Sequence, residues 1–181
     1  VYAGDLVWKD REQNFYELVD SKPVSNLFLY LSKLASLVLL QVFLSLIILI
    51  CGVLIQTFKG YTHYELGLYF ETLFIYGLPS KILVCVLCLF IQTLSRNKYV
   101  GHSIVILYWL GMLWLPSLGF EHRLYLVGAL PHATYSDMNH FGTLYKPFIA
   151  FTANWAFLYF AMALMTILLW RRGAEAGLKL T

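Results

Sequence analysis

Residues 34–58 read LASLVLLQVFLSLIILICGVLIQTF, and this stretch decides the fold. It holds no Asp, Glu, Lys, Arg or His, and 17 of its 25 residues are Leu, Ile, Val or Phe. At about 1.5 Å per helical residue it exceeds the roughly 30 Å hydrocarbon core of a bilayer. Each of those 17 side chains favours insertion by roughly 0.3–0.6 kcal/mol, which outweighs Gln41, Ser45 and Gln56. The stretch reads as a spanning helix, closed by Lys59-Gly60.

The rest of the chain has the same character. Of 181 residues 60% are apolar and 13% charged, about half the charged share of a soluble domain. Mean hydropathy is +0.68. Polar residues cluster between long apolar runs, and Trp and Tyr gather near the run ends, as interfacial anchors do. The fold class is therefore an all-α integral membrane bundle of about four spanning helices. The net charge of +3 comes with no basic stripe or stacking motif, so it points to no nucleic-acid partner and none is expected.

Three further runs follow the first. Residues 64–77 mix Glu65 and Glu71 with aromatics and read as a helix lying in the interface. Pro79 then suits the first turn of a second spanning helix, residues 79–95. Lys81 would cost roughly 2.5–3.5 kcal/mol at the bilayer centre, so it is expected near the outer boundary. After Arg96-Asn97-Lys98 comes a third spanning run, residues 103–120, with Pro116 expected to bend or end it. Residues 121–146 form an outer loop, and residues 147–170 the fourth spanning helix, stopped by Arg171-Arg172-Gly173.

Residues 1–23 are charged and read as part of a longer chain. Phe15, Leu18 and Val19 recur at helical spacing among Arg11, Glu12 and Glu17, giving a short amphipathic helix that ends at Lys22-Pro23. With this segment inside, the short inner loops and tails hold eight Lys and Arg residues (Lys9, Arg11, Lys22, Arg96, Lys98, Arg171, Arg172, Lys179) against four outside (Lys59, Lys81, Arg123, Lys146). The asymmetry puts both ends in the cytoplasm.

Few residues invite chemistry. Cys51, Cys85 and Cys88 lie in apolar runs, where the thiolate is disfavoured, and read as small packing residues. His63, Glu65, Glu121, His122, His132, Asp137 and His140 fall in outer loops, but their spacing defines no convergent ligand set. Tyr135-Ser136-Asp137-Met138-Asn139 reads as a capped turn. His102 sits near the inner boundary. Gln41 and Asn154 lie deep in spanning runs, where a polar side chain should face protein, and are candidates for lining a pathway. No phosphate loop of the form G-x-x-x-x-G-K-[ST] and no H-E-x-x-H occurs, so the chain carries no catalytic motif and calls for no cofactor of its own.

The run Gly4-Asp5-Leu6-Val7-Trp8-Lys9-Asp10-Arg11-Glu12, followed by Glu17-Leu18, Lys22-Pro23-Val24-Ser25 and Lys33, resembles the cytoplasmic coupling segment of ABC-2-type permeases, with Gly-Asp where Gly-Glu is usual. The stretches 59–69, 97–102, 133–139 and 169–173 are similar to the membrane region of bacterial ABC-2 permeases fused to a zinc aminopeptidase domain. The resemblance implies the last four helices of a six-helix permease half in a bacterial inner membrane. It also implies an amphipathic coupling helix, a re-entrant outer loop at 121–146, and coupling residues Asp5, Arg11, Glu12, Phe15, Glu17 and Leu18. The implied partners are an ATP-binding cassette ATPase, which holds ATP and Mg, and a second permease half or second copy. The transport implied is export. A polytopic enzyme or metal-handling protein using the outer His, Asp and Glu residues is the rival, with a membrane anchor for a fused peptidase as a third reading.

The charge asymmetry sets the first prediction. A cysteine placed at Ser136 should react with an impermeant thiol reagent in intact cells, and one at Ser21 should not. Labelling at Ser21 before lysis would reverse the topology.

Overall fold

The structure is a computed structural model. It describes residues 2–13, 24–61, 63–120, 122, 125–131, 135–136, 138, 141–142 and 145–170, without the side chains of Asp10 and Arg11. These residues build helices α1 (Tyr2–Glu12), α2 (Asn26–Phe58), α3 (Leu66–Leu94), α4 (Lys98–Trp114) and α5 (Tyr145–Leu168). Helices α2, α3 and α5 are long and apolar enough to cross a membrane. Helix α4, at 17 residues, spans about 25 Å.

Local chemistry sets the helix ends. The Ser25 side chain accepts from the Phe28 amide at 3.3 Å, so α2 starts eight residues before its apolar run and extends to about 50 Å. Asn97 caps α4 in the same way, accepting from the Val100 amide at 2.8 Å. Pro116, which has no N–H to continue the ladder, ends α4 in a short 3₁₀ turn over Pro116–Leu118. That is several residues before the expected limit at 120. Gly60, with φ of 78°, makes the tight turn between α2 and α3.

The interfacial helix and second spanning helix expected from the sequence are one helix. Helix α3 runs unbroken from Leu66 through a π-helical stretch, Glu71–Tyr76, into Gly77–Leu94. Pro79 lies inside it. A proline ring crowds the carbonyl four residues earlier, here Ile75, and the wider π turn just upstream gives that carbonyl room. The helix therefore starts at Leu66, 13 residues before Pro79.

Helix α3 is the centre of the bundle, contacted by α1, α2, α4 and α5. Its buried stripe is Tyr76, Leu83, Cys85, Val86, Leu87, Leu89, Gln92 and Thr93. Helix α5 meets it with Phe148, Trp155, Tyr159 and Thr166, at spacings of seven, four and seven that keep one helical face. Helix α2 presents Tyr30, Leu37 and Ser45 by the same rule, while most of its length is exposed on the outside of the bundle. At one end Asn26 donates to the Ile167 carbonyl at 3.3 Å, tying α2 to α5. At the other, Tyr76 packs on Phe141 and Phe148 at ring separations of 4.6 and 4.9 Å, with Tyr135 5.5 Å from Phe141. Cys85 is packed in a cluster with Ala3, Tyr30, Leu37 and Leu89, and Cys88 lies against it, as packing residues should, whereas Cys51 is exposed on α2, outside the core that the described residues form.

Phe141 pins the 121–146 segment to α3 and α5. Phe141→Ala should lower the stability of the purified protein by about 3–5 kcal/mol, read as an unfolding midpoint in detergent. An unchanged midpoint would mean this ring does not hold the segment.

Candidate functional site

Three polar places stand out against the apolar bundle, one at each end and one between them. At the α1 end, Gln92 of α3 is 2% exposed and bonded on both sides. The Trp8 indole N–H donates to its Oε1 at 3.2 Å, which fixes the amide orientation, so its Nε2 donates to His102 Nδ1 at 2.7 Å. His102 is therefore the neutral tautomer with its proton on Nε2. Burial lowers its pKa below the ordinary histidine value, against the pull of Asp5.

Glycines let these helices close. A Cβ on Gly4 would lie 2.1 Å from the His102 ring, and one on Gly101 would lie 2.4 Å from Gln92 Oε1. Around this knot Lys98 ties α1 to α4, with its ammonium 2.9 Å from Glu12 and 3.5 Å from Asp5. The hydrogen bond to Glu12 raises the Lys98 pKa, and the charges of Glu12 and Asp5 add to it. Lys33 donates to the Leu6 carbonyl and lies 5.8 Å from the Trp170 ring centre. Helix α1 thus docks on the bundle through Ala3, Gly4, Val7 and Trp8. Of the coupling residues, Asp5 and Glu12 are brought together on Lys98. The Arg11 side chain and all of Phe15, Glu17 and Leu18 lie outside the described residues.

Between the ends, the Lys81 ammonium donates to Ser45 Oγ at 2.7 Å. Ser45 is fully buried. It lies 12 residues after Lys33 and 14 before Lys59, which bracket the apolar run of α2. At about 1.5 Å per residue that is roughly halfway across. The continuous α3 (Leu66–Leu94) puts Lys81 near the middle of a helix and not in its first turn, and among the described residues Ser45 is its hydrogen-bond acceptor. Gln41 is half-buried one turn from Ser45, on the inward stripe of α2. Asn154 is exposed on the outside of α5, because Trp155 and Tyr159 take the inward positions. The two pathway candidates are not brought together in this chain.

At the opposite end, a cavity of 420 Å³ opens between α2 and α3, lined by Ile48, Gly52, Gln56, Leu68, Tyr69 and Thr72, with Tyr61, His63 and Glu65 on its loop side. Gln56 Oε1 is buried there without a hydrogen-bond partner among the described residues. The hydroxyls of Thr57 and Tyr64, 2.9 Å apart, hold the turn beside it. Of the metal-capable loop residues, Glu121, His132, Asp137 and His140 lie outside the described residues. Among the described residues no three His, Cys, Asp or Glu side chains converge.

Sequence reasoning missed Gln92, Trp8 and the contact of Lys81 with Ser45. One signal was present: Gln92 is the one amide in the run 82–95, and a buried amide demands partners. No protein family, curated protein or solved structure matches the chain.

The knot makes a prediction about pH. Its bond to Gln92 needs neutral His102, and a histidine with a lowered folded pKa contributes fully above its unfolded value of 6.5. That contribution declines as pH falls through the lowered value. A cysteine at buried Ala3, in a chain whose native cysteines are Ala, should be protected from maleimide at neutral pH and become reactive as pH drops below 6.5 (after correction for thiolate fraction). His102→Asn, which keeps an acceptor for Gln92 without titrating, should flatten that response. Gly4→Leu should expose the site at all pH values, since overpacking typically costs about 1–3 kcal/mol. Protection unchanged in Gly4→Leu would show that α1 does not dock this way.

Proposed function

We propose that this chain is the membrane-spanning part of an ABC-2-type, ATP-driven transporter, an exporter of a bacterial inner membrane. On this reading α2, α3, α4 and α5 all span, and both ends are cytoplasmic. The observation that carries it is the docking of α1. A charged segment that merely trailed from the bundle would transmit nothing. Here the charged segment is tied to α3 through Trp8 and Gln92 and to α4 through Asp5, Glu12 and Lys98. A force applied to it reaches the central helix through hydrogen bonds and close glycine contacts, with little slack. That is the mechanical requirement for a segment that relays the motion of an ATPase to a bistable bundle.

Two features support the partners. The polar run of residues 1–23 offers an apolar stripe, Phe15, Leu18 and Val19, within charged surroundings, the make-up of a small anchor with a charged rim. Asn154, exposed to the lipid side of α5, finds no acceptor or donor in hydrocarbon. It suits contact with a second permease half or a second copy. ATP and Mg belong to the ATPase subunit.

Truncating an apolar anchor at a desolvated contact typically costs about 1–4 kcal/mol, whereas an isolated rim charge matters less. Phe15→Ala should therefore weaken co-purification of the host ATPase, and its stimulation, more than Lys9→Ala does. Reversing both Glu12 and Glu17 to Lys should also impair docking, and none of these changes should prevent membrane insertion. Wild-type ATPase association and rates in both Phe15→Ala and the double reversal would sink the coupling assignment.

A further inference from the structure

Lys81 carries a charge that the described residues leave largely uncompensated. Its ammonium has three donors, and Ser45 Oγ accepts one of them. No carboxylate among the described residues lies at this level of the bundle. Asp5 and Glu12 pair with Lys98 at the α1 end. Glu65 and Glu71 precede Lys81 by 16 and 10 residues on or before the same helix, which places Glu71 about 15 Å away along the axis. A cation at mid-depth in hydrocarbon is costly and marks a ligand or ion pathway unless a partner neutralises it.

The surroundings say how a partner arrives. Side chains on a helix lean toward its N-terminus, so Lys81 projects toward the Leu66 end of α3. The 420 Å³ cavity lies on that side. Its lining on α2 descends through Gln56 and Gly52 to Ile48, one turn from Ser45. Around the pair the bundle surface is apolar, with Leu44, Leu46, Ile47 and Ile48 of α2 substantially exposed. Anything that reaches Lys81 crosses apolar surface and needs an apolar body. Gln56 Oε1, buried in the cavity wall without a partner among the described residues, offers an acceptor further along.

We propose that Lys81, backed by Ser45, binds the anionic head of an amphiphile, a carboxylate or phosphate group, which enters through the cleft between α2 and α3. The ammonium supplies a charge-assisted hydrogen bond to the head. Ser45 holds the side chain in place while the site is empty. Calling the amphiphile the transported cargo rests on the permease reading above, and the binding site itself does not.

The test is binding to the full-length protein, delipidated in neutral detergent. The probes are oleate for a carboxylate head, dioleoyl phosphatidate for a phosphate head, inorganic phosphate for the free ion, and phosphatidylcholine as a zwitterionic control. Oleate or phosphatidate should bind the wild type. Lys81→Gln should weaken that binding about 10- to 100-fold, the loss of one charge-assisted contact, and Lys81→Arg should retain it. Ser45→Ala leaves the ammonium and should still bind, which keeps the test decisive if Lys81→Gln folds poorly. Equal affinity in wild type and Lys81→Gln, or binding of neither amphiphile, overturns the site, as does binding of inorganic phosphate alone. If Lys81→Gln instead splits an oligomer without changing amphiphile affinity, the counter-charge comes from a second copy and the proposal fails. Amphiphile binding through Lys81 without any associated ATPase would leave the site standing and remove the permease reading. ATPase association without amphiphile binding would do the reverse.

Discussion

Hydrocarbon offers no hydrogen bonds, and that constraint organises this bundle around one helix. Every polar side chain on α3 that enters the apolar layer must find its partner in the protein. Thr93 and Ser95 turn back to the carbonyls of Leu89 and Ile91 on their own helix. Lys81 and Gln92 cannot satisfy themselves locally, and they recruit neighbours. Lys81 draws Ser45 of α2. Gln92 draws Trp8 of α1 and His102 of α4. The helix that carries the most demanding side chains is the one that the others surround.

This arrangement gives the two ends of the molecule different mechanical characters. At the α1 end, two glycines, an amide, an imidazole and a lysine bridging two carboxylates leave little freedom. At the other end a cavity separates α2 from α3, and the described residues of 121–146 are held by the Tyr135 and Phe141 rings, by Leu130 in the core and by the Tyr108 hydroxyl on the Val127 carbonyl. Two polar centres on α3, about 16 Å apart along the axis from Lys81 to Gln92, connect these regions through a single rigid element. A disturbance of the docked α1 therefore has a direct route to mid-depth.

Much of the fold was legible in the sequence because spanning helices are set by apolar length. Residues 34–58 and 147–170 contain so few polar side chains that no alternative reading competes. The second helix was misplaced because Glu65, Glu71 and Pro79 each imitate a boundary. Acidic residues suggest an interface, and proline suggests a first turn. Once its start moved from Pro79 to Leu66, Lys81 moved from the edge to the middle. The docking of α1 was not legible, since nothing in Gly4 or Trp8 taken alone names Gln92 or His102, some 90 residues away. Asn154 illustrates the opposite limit: it lies on the long apolar helix expected of it, but the larger rings beside it decided which face it took.

The π turn in α3 has a consequence for how the gene can change. Such a turn stores one extra residue without breaking the backbone ladder, and the helix beyond it is rotated by about 100° relative to an uninterrupted α-helix. The wall that α3 offers the cavity is thus in phase with α2 only because the surplus residue is there. Removal of any single codon from Leu73 to Ile75 would leave a continuous helix, with the Pro79 ring then crowding the carbonyl four residues before it. It would also turn Leu68, Tyr69 and Thr72 away from Gly52 and Gln56 while leaving Lys81 and Gln92 where they are. The two halves of this helix are therefore separable by frame-preserving insertions and deletions, and the cavity can be remodelled without touching the core beneath it.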